Sequence, residues 1–166
     1  YNLTTINIPL VTEIPNNAFS YYEKLSNINI DLENIVSIGA NAFVGCQSFE
    51  KYLNFENLQK LEKSAFAESG IKGFCATNLK KVEKNVFRNC KKLEYIELPN
   101  VEILGSTIIY NSINLKYLFV GANCLKTSNN SLIAYNGNFI IYCYDTDLIS
   151  QCTNQKCVDI SSSLEK

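Results

Sequence analysis

The 166-residue chain contains no histidine, no methionine and no tryptophan, and only three prolines and seven glycines. Without histidine it lacks the commonest general base, the commonest zinc and haem ligand, and the side chain that titrates near neutral pH. Most histidine-dependent enzyme mechanisms are therefore excluded. No apolar run approaches the ~18 residues that a membrane span needs, so we expect no membrane insertion by this segment.

Charge of neither sign dominates the composition. Fifteen Lys and Arg against sixteen Asp and Glu give a formal charge of -1, so there is no global attraction to nucleic acid or to an anionic membrane surface. We therefore expect no nucleic-acid partner. The hydrophobic share of 46% is enough to build a core and excludes a disordered tail. A leader with a basic and then an apolar part is missing, so we expect a processed or trimmed piece whose targeting signal lies elsewhere.

Apolar residues recur along the chain at a fixed spacing. In four units they fall two, five, eight and thirteen positions after the first residue, and a fifth unit follows the same order after a two-residue insertion. A sixth unit keeps only the start of the pattern. The units begin at Ile6, Ile28, Leu53, Phe74, Ile96 and Leu118. A further aliphatic residue stands three positions before most of these starts, which completes an L-x-x-L-x-L motif.

This spacing predicts a stack of coils. Apolar residues two apart, with polar residues between them, are typical of a short strand with one buried face. A period near 22 residues lets each strand lie beside the equivalent strand of the next unit, in a parallel sheet. No unit can bury its apolar face alone, so stability must come from stacking neighbours. The outer, returning part of each unit is too short for a full helix.

A second motif lies downstream in the first four units. Its fullest form is Ile-Gly-x-x-Ala-Phe-x-x-Cys at residues 38–46, with related forms at 14–19, 61–66 and 82–90. Together with L-x-x-L-x-L, it resembles the leucine-rich repeats of the BspA-like surface proteins. The resemblance covers about residues 3–130 and implies a leucine-rich repeat solenoid of about six repeats, mostly β within the α/β class, with a concave parallel sheet. It departs where Ile109 replaces the repeat Phe.

The chain divides into a repeat array at residues 3–130 and a C-terminal hairpin cap and tail at residues 131–166. Asn136-Gly137-Asn138 separates two apolar runs, at 132–135 and 139–142. Asn-Gly between such runs is a strong hairpin signal because both residues tolerate positive φ. We therefore expect a β-hairpin that closes the stack, followed from residue 145 onward by a loose tail or linker.

Seven cysteines raise the question of metal binding. Cys46 and Cys90 stand three residues after the repeat Phe, where a small buried apolar side chain is expected. Cys143, Cys152 and Cys157 cluster near the C-terminus, but their spacing fits a zinc site poorly. A disulfide and free thiols both remain open for this cluster. We predict no metal and no other cofactor.

Cys75 is predicted at an outward-facing strand position, where an accessible thiol could react. No histidine is present and no other base stands at a suitable spacing, so catalysis by this thiol is not expected. We predict that the chain is not an enzyme.

The outward positions of the predicted concave sheet become aromatic in its later units. Clustered exposed aromatics on a solenoid suggest a contact surface for a protein or a glycan. An alternative is that cross-strand aromatic pairs only stabilise the sheet, and both interpretations stay open. The candidate binding residues are Tyr52, Asn54, Glu56, Tyr95, Glu97, Tyr117 and Phe119.

The family resemblance implies a non-catalytic recognition or adhesion module, either secreted or at the cell surface, with a protein or glycan ligand. The alternative is a cytoplasmic leucine-rich repeat scaffold for protein–protein interaction, in which all seven cysteines are reduced.

Overall fold

A computed structural model describes residues 2–121, 124, 126–127, 140–143 and 156–159. Each of the first six coils contributes one strand to a long-strand sheet and a two-residue strand to a short-strand sheet. Two further long strands follow, and all pairings of the described strands are parallel. The strands of the long-strand sheet are β1 (Thr5–Asn7), β3 (Asn27–Asn29), β5 (Tyr52–Phe55), β7 (Gly73–Ala76), β9 (Tyr95–Leu98), β11 (Tyr117–Val120), β13 (Ile140–Cys143) and β14 (Lys156–Asp159). Those of the short-strand sheet are β2 (Glu13–Ile14), β4 (Ser37–Ile38), β6 (Lys60–Leu61), β8 (Lys81–Val82), β10 (Ile103–Leu104) and β12 (Lys126–Thr127).

The predicted repeat is confirmed at all six starts. Each start residue lies in a long strand, and neighbouring starts are register partners within each paired set, such as Ile6 with Ile28 and Phe74 with Ile96. The side chains at these starts are buried from the second coil onward. The solenoid fold with a parallel sheet therefore follows from the apolar spacing, because stacking is the way in which each coil covers its apolar face.

One break interrupts the long-strand sheet. Strands β1 and β3 form a separate pair, while β5 begins the six-stranded part. The two-residue insertion of the second unit lies here, and it forms a 3₁₀ turn, η1 (Leu32–Asn34), that packs against β5. Asp31 caps this turn by accepting hydrogen bonds from the Glu33 amide at 3.2 Å and from Asn34 Nδ2 at 2.7 Å. The short-strand sheet continues without a break past this point.

Stacked phenylalanine rings fill the centre of the coils. The Phe43 and Phe66 rings lie 5.1 Å apart and are almost parallel, and Phe87 continues the column at 6.2 Å from Phe66. Phe19 begins the column at 5.2 Å from Phe43. Ile109, which departs from the repeat motif, is fully buried at the equivalent place in the next coil. The motif Phe is therefore a core residue that joins each coil to the next.

The returning segments form a backbone ladder instead of a helix. The amides of Asn41, Phe43 and Gly45 donate to the carbonyls of Lys63, Ala65 and Ala67 in the next coil, at 2.8 to 3.1 Å. Residues two before and two after the repeat Phe adopt positive φ, which directs alternate amides toward the neighbouring coil. Those with positive φ that are not glycine are Asn17, Tyr21, Asn41, Ser64, Glu68, Asn85, Asn89, Thr107 and Asn111. Five of the nine are asparagine, which tolerates this conformation better than most residues.

Asparagine side chains also form hydrogen bonds between neighbouring coils. Nδ2 of Asn57, Asn78 and Asn100 donates to a main-chain carbonyl of the preceding coil, at 2.9, 2.7 and 2.9 Å. These bonds satisfy carbonyl groups at the bends that follow the long strands, where no sheet ladder is available. Together with those at positive φ, several of the 22 asparagines of the chain therefore have a structural use in the described repeats.

The two cysteines predicted to be core residues are buried. Cys46 Sγ donates to the Phe19 carbonyl at 3.0 Å, and Cys90 Sγ donates to the Phe66 carbonyl at 2.9 Å. Ser112 Oγ makes the equivalent bond to Phe87 at 2.6 Å. Burial raises the pKa of both thiols to about 12, so both stay protonated at neutral pH.

The C-terminal part differs from the predicted cap. Strand β13 lies between β11 and β14 and pairs in parallel with both. Both of its edges are therefore occupied, and over these four residues it extends the sheet where an antiparallel hairpin arm was expected. The other arm and the Asn-Gly turn lie outside the described residues. Within the predicted tail, residues 156–159 form a further strand of the same sheet.

We predict that Phe66→Ala lowers the free energy of unfolding by about 3–5 kcal/mol, because the fully buried ring leaves a cavity between two stacked neighbours. Urea denaturation would measure the change. Phe19→Ala is the matched control, since this half-buried ring begins the column and packs against one ring only among the described residues. An equal loss in both variants would contradict a core built from the column.

Candidate binding surface

Two rows of outward-facing residues run across the long-strand sheet from β5 to β11. Strand alternation places Leu53 and Phe55 in the core, and the residues between them outside. The first row contains Tyr52, Gly73, Tyr95 and Tyr117, and its three rings are called here the tyrosine stack. The second, called the Glu97 row, contains Asn54, Cys75, Glu97 and Phe119.

The tyrosine stack is continuous across Gly73. The Tyr52 and Tyr95 ring centroids lie 5.7 Å apart with an interplanar angle of 12°, although their strands are two rungs apart, or about 9.6 Å. A Cβ atom on Gly73 would overlap the Tyr95 ring and lie 2.7 Å from Tyr52 Cδ1. Tyr117 continues the stack at 5.6 Å from Tyr95, with an angle of 9°. Glycine is therefore what allows the rings to close over the intervening strand.

Two of the three hydroxyl groups of the tyrosine stack donate hydrogen bonds to carboxylates. The Tyr117 hydroxyl donates to Glu97 Oε1 at 2.9 Å, and the Tyr52 hydroxyl donates to Glu94 Oε1 at 3.4 Å. Burial, followed by the hydrogen bond and the negative charge of Glu97, raises the pKa of Tyr117 to about 12. Burial and the same charge also raise the pKa of Tyr95. These phenols therefore stay neutral through the physiological pH range.

Lysines neutralise the carboxylates beside the tyrosine stack, but not Glu97. Glu94 pairs with Lys116 at 2.6 Å, and Glu50 bridges Lys72 and Lys92 at 2.9 and 2.6 Å. Glu97 forms no salt bridge with any residue that the structure describes. Its neighbours in the structure include two neutral donors, the Tyr117 hydroxyl, which donates to it at 2.9 Å, and the thiol of its register partner Cys75.

Cys75 is less accessible than the sequence suggests. Its side chain is half-buried between Asn54 and Glu97 on the neighbouring strands. Burial, and then the charge and hydrogen bond of Glu97, raise the pKa of the thiol. A raised pKa keeps the thiol protonated at neutral pH and makes it a poor nucleophile. The predicted position in an outward-facing row is therefore confirmed, but the side chain is less exposed than expected.

Most of the predicted binding residues lie together. Tyr52, Tyr95 and Tyr117 form the stack, and Asn54, Glu97 and Phe119 share the second row. Glu56 is exposed directly after β5, two residues after Asn54 along the chain, and lies outside that row. The role of these residues in binding stays a prediction, because their arrangement alone also suits a purely stabilising stack.

Sequence reasoning missed two residues at this surface. Glu94 precedes β9 and holds Tyr52, although it falls outside the strand positions that the repeat pattern marks. Tyr142 of β13 packs edge-on against Tyr117 at 6.2 Å. The signal for Tyr142 was present, since Ile141 stands one further period, 23 residues, after Leu118. That spacing predicts a further parallel strand, whereas Asn136-Gly137 predicts a hairpin at the same place.

No alternative site stands out in the part of the chain described. Two surface depressions of about 460 and 440 Å³ are lined mainly by lysine, glutamate and amide side chains, and Cys75 lines neither. Within the same residues there is no group of three or more cysteine, aspartate or glutamate side chains that could hold a metal ion. No helix in these residues is long and apolar enough to span a bilayer.

Comparison with protein families gives a match over most of the chain. A family model described as "BspA type Leucine rich repeat region (6 copies)" matches residues 12–140 and 74–166. These two overlapping matches together cover most of the chain. No curated protein matches it.

Glu97→Gln should make Cys75 more reactive, because removing the negative charge lowers the pKa of the thiol. At each pH between 7 and 9.5 we expect faster alkylation of Cys75 by iodoacetamide in the variant, measured by peptide mass spectrometry. Burial remains, so the pKa should stay above its ordinary value. Glu56→Gln, an exposed neighbour beyond the row, should leave the rate unchanged. Equal rates in wild type and Glu97→Gln would contradict the described contact.

Proposed function

Since the chain belongs to the BspA-type leucine-rich repeat family, we propose that it is a non-catalytic recognition or adhesion module that binds a protein or glycan partner on the outward face of the long-strand sheet. The family suggests a protein-interaction or adhesion module, and a leucine-rich repeat solenoid is generally a non-enzymatic scaffold. Such a fold presents a surface, and the residues on that surface choose the ligand.

The observation that supports this face is the tyrosine stack. Stacked rings lose little conformational freedom on binding, and each offers both an apolar edge and a polar hydroxyl. Tyr52, at the end of the stack, is 53% exposed. Binding would bury this area at a low entropic cost, with Asn54, Glu56 and Glu97 as polar contacts that orient the partner.

The fold does not require aromatic residues at these positions. The strands β1 and β3 carry Thr5 and Asn27 where the later strands carry the tyrosines, and Asn7 and Asn29 in the second row. Asn29 Nδ2 donates to Asn7 Oδ1 at 2.7 Å, so polar side chains pair well across adjacent rungs. The concentration of aromatics in one part of the sheet therefore favours a binding role over stabilisation alone.

Binding of the purified full chain to arrays of cell-surface proteins and of glycans would test this proposal. We expect Tyr52→Asn to weaken binding at least tenfold, because it removes the most exposed ring and leaves the residue found at the equivalent position of β3. Tyr21→Asn is the matched control. Tyr21 is similarly exposed, at 58%, but has positive φ in a returning segment, where Asn89 and Asn111 occupy equivalent positions.

The result is informative only if both variants keep the fold, which thermal unfolding would show. Tyr52→Asn removes one stacking partner, worth about 0.5–1.5 kcal/mol beyond area burial, so its melting temperature should fall by only a few degrees. Equal loss of binding in both variants, or unchanged binding in Tyr52→Asn, would reject the tyrosine stack as the binding surface.

The thiol state distinguishes a secreted or cell-surface protein, which the repeat type favours, from a cytoplasmic scaffold. Cys46, Cys75 and Cys90 are free in the structure, which leaves four cysteines for at most two disulfides within the chain. On protein from its native source, intact mass after denaturing alkylation, with and without reductant, would count the thiols. We expect one or two disulfides, as in an oxidising compartment. Seven free thiols would instead favour the cytoplasmic scaffold.

A further inference from the structure

Glu97 differs from every comparable carboxylate in the part of the chain that the structure describes. Five carboxylates there are neither fully exposed nor buried, and four of them pair with a lysine at 2.6 to 3.1 Å. Those four are Glu62, Glu83, Glu94 and Glu102. Glu97 is the fifth, and it pairs with no lysine or arginine of the described residues. It is also the only one of the five that lies in an outward-facing row of the long-strand sheet.

This arrangement leaves a negative charge only partly solvated. A carboxylate that is half removed from water is stabilised most by a cation, and a hydrogen bond to a charged acceptor is stronger when the donor is also charged. The contacts of Glu97 with the Tyr117 hydroxyl and the Cys75 thiol come from neutral donors. The same charge raises the pKa of Cys75, Tyr95 and Tyr117. A cation that arrived with a ligand would compensate this charge.

The surroundings of Glu97 suit a guanidinium group better than an ammonium group. Phe119 is its register partner on β11, and the Tyr117 ring lies on the same strand. Guanidinium is planar and weakly hydrated, so it can donate to both carboxylate oxygens while its flat surface packs against an aromatic ring. Arginine is also enriched among the residues that dominate binding energy at protein interfaces.

The tyrosine stack favours a protein over a glycan. A sugar ring packs its C–H face on an open aromatic face, but Tyr95 has a ring stacked on each side of it. One side of Tyr117 faces Tyr95, and Tyr142 packs against it edge-on. Only Tyr52, at the end of the stack, has a ring face that no other described ring covers. The rest of the stack presents ring edges and hydroxyl groups, which suit the mixed apolar and polar surface of a polypeptide.

We propose that the partner is a protein that places an arginine side chain against Glu97, beside the tyrosine stack. This inference rests on the proposed function, because it names the chemistry of a ligand for the same face. The guanidinium would form a salt bridge that no described residue makes with Glu97, and the flanking rings would exclude water from that pair.

Selection of peptides from a random twelve-residue display library on the immobilised full chain would test this inference. We expect the selected peptides to be enriched in arginine. In a synthetic copy of the best binder, replacement of that arginine by citrulline, which keeps the shape and removes the charge, should raise Kd at least tenfold. Glu97→Gln should raise Kd for the arginine peptide by a similar factor and should have little effect on the citrulline peptide. Glu83→Gln is the control, because it removes a partly exposed carboxylate directly after β8 of the short-strand sheet, and it should change neither value.

The outcomes separate this inference from the proposed function. Binding that is lost in Tyr52→Asn but kept in Glu97→Gln would overturn the arginine contact and leave the surface in place. The same holds for selected peptides without a basic residue. Peptide binding that neither substitution weakens would reject the surface itself. No enrichment over the empty matrix, or glycan binding that needs Tyr52 and not Glu97, would also overturn the proposed protein partner.

Discussion

Each coil of this protein depends on the next one to cover its apolar face. A single coil exposes its aliphatic strand residues and its repeat Phe on both open sides, and only stacking removes them from water. The backbone follows the same constraint, because alternate amides of the returning segments find their acceptors in the neighbouring coil. Positive φ at residues such as Asn41 and Asn85 directs those amides toward the neighbouring coil. Coil-to-coil contact therefore determines the core, the backbone hydrogen bonds and the asparagine content together.

The arrangement of the proposed binding surface is a direct consequence of that regularity. Register places equivalent residues of successive coils side by side at about 4.8 Å. A residue type that recurs at the same repeat position therefore forms a row across the sheet. Tyrosine in three of four successive strands produces a stack, and glycine in the remaining strand lets the rings of Tyr52 and Tyr95 meet above it. Neither residue type alone would have this result. A side chain at position 73 would keep the rings of Tyr52 and Tyr95 apart.

The sequence predicts the parts of the structure that follow from period and polarity. The six strand starts, the buried Phe column and the buried thiols of Cys46 and Cys90 all come from equivalent positions in the repeat. The break between β3 and β5 was not foreseen, because the spacing shows that two residues are inserted but not that they form the turn Leu32–Asn34 against β5. The half-burial of Cys75 was also missed. It depends on the side chains of the neighbouring strands, which the position of one residue within its own strand does not describe.

Carboxylates are paired differently at the edges of the coils and on the surface that we propose to be functional. Lysine and glutamate pairs repeat at the edges of the coils, such as Lys60 with Glu62 and Lys81 with Glu83, where the lysine is exposed and each pair contributes little to stability. A chain that supplies lysine partners so regularly would also do so at Glu97 if the long-strand sheet were only a structural face. Instead, the charge of Glu97 stands beside the rings of Tyr117 and Phe119, where water is partly excluded and a cation is worth more than at the edges. A carboxylate that has no lysine or arginine partner in the described part of the chain, together with the aromatic rings, favours recognition over stability as the reason for this composition.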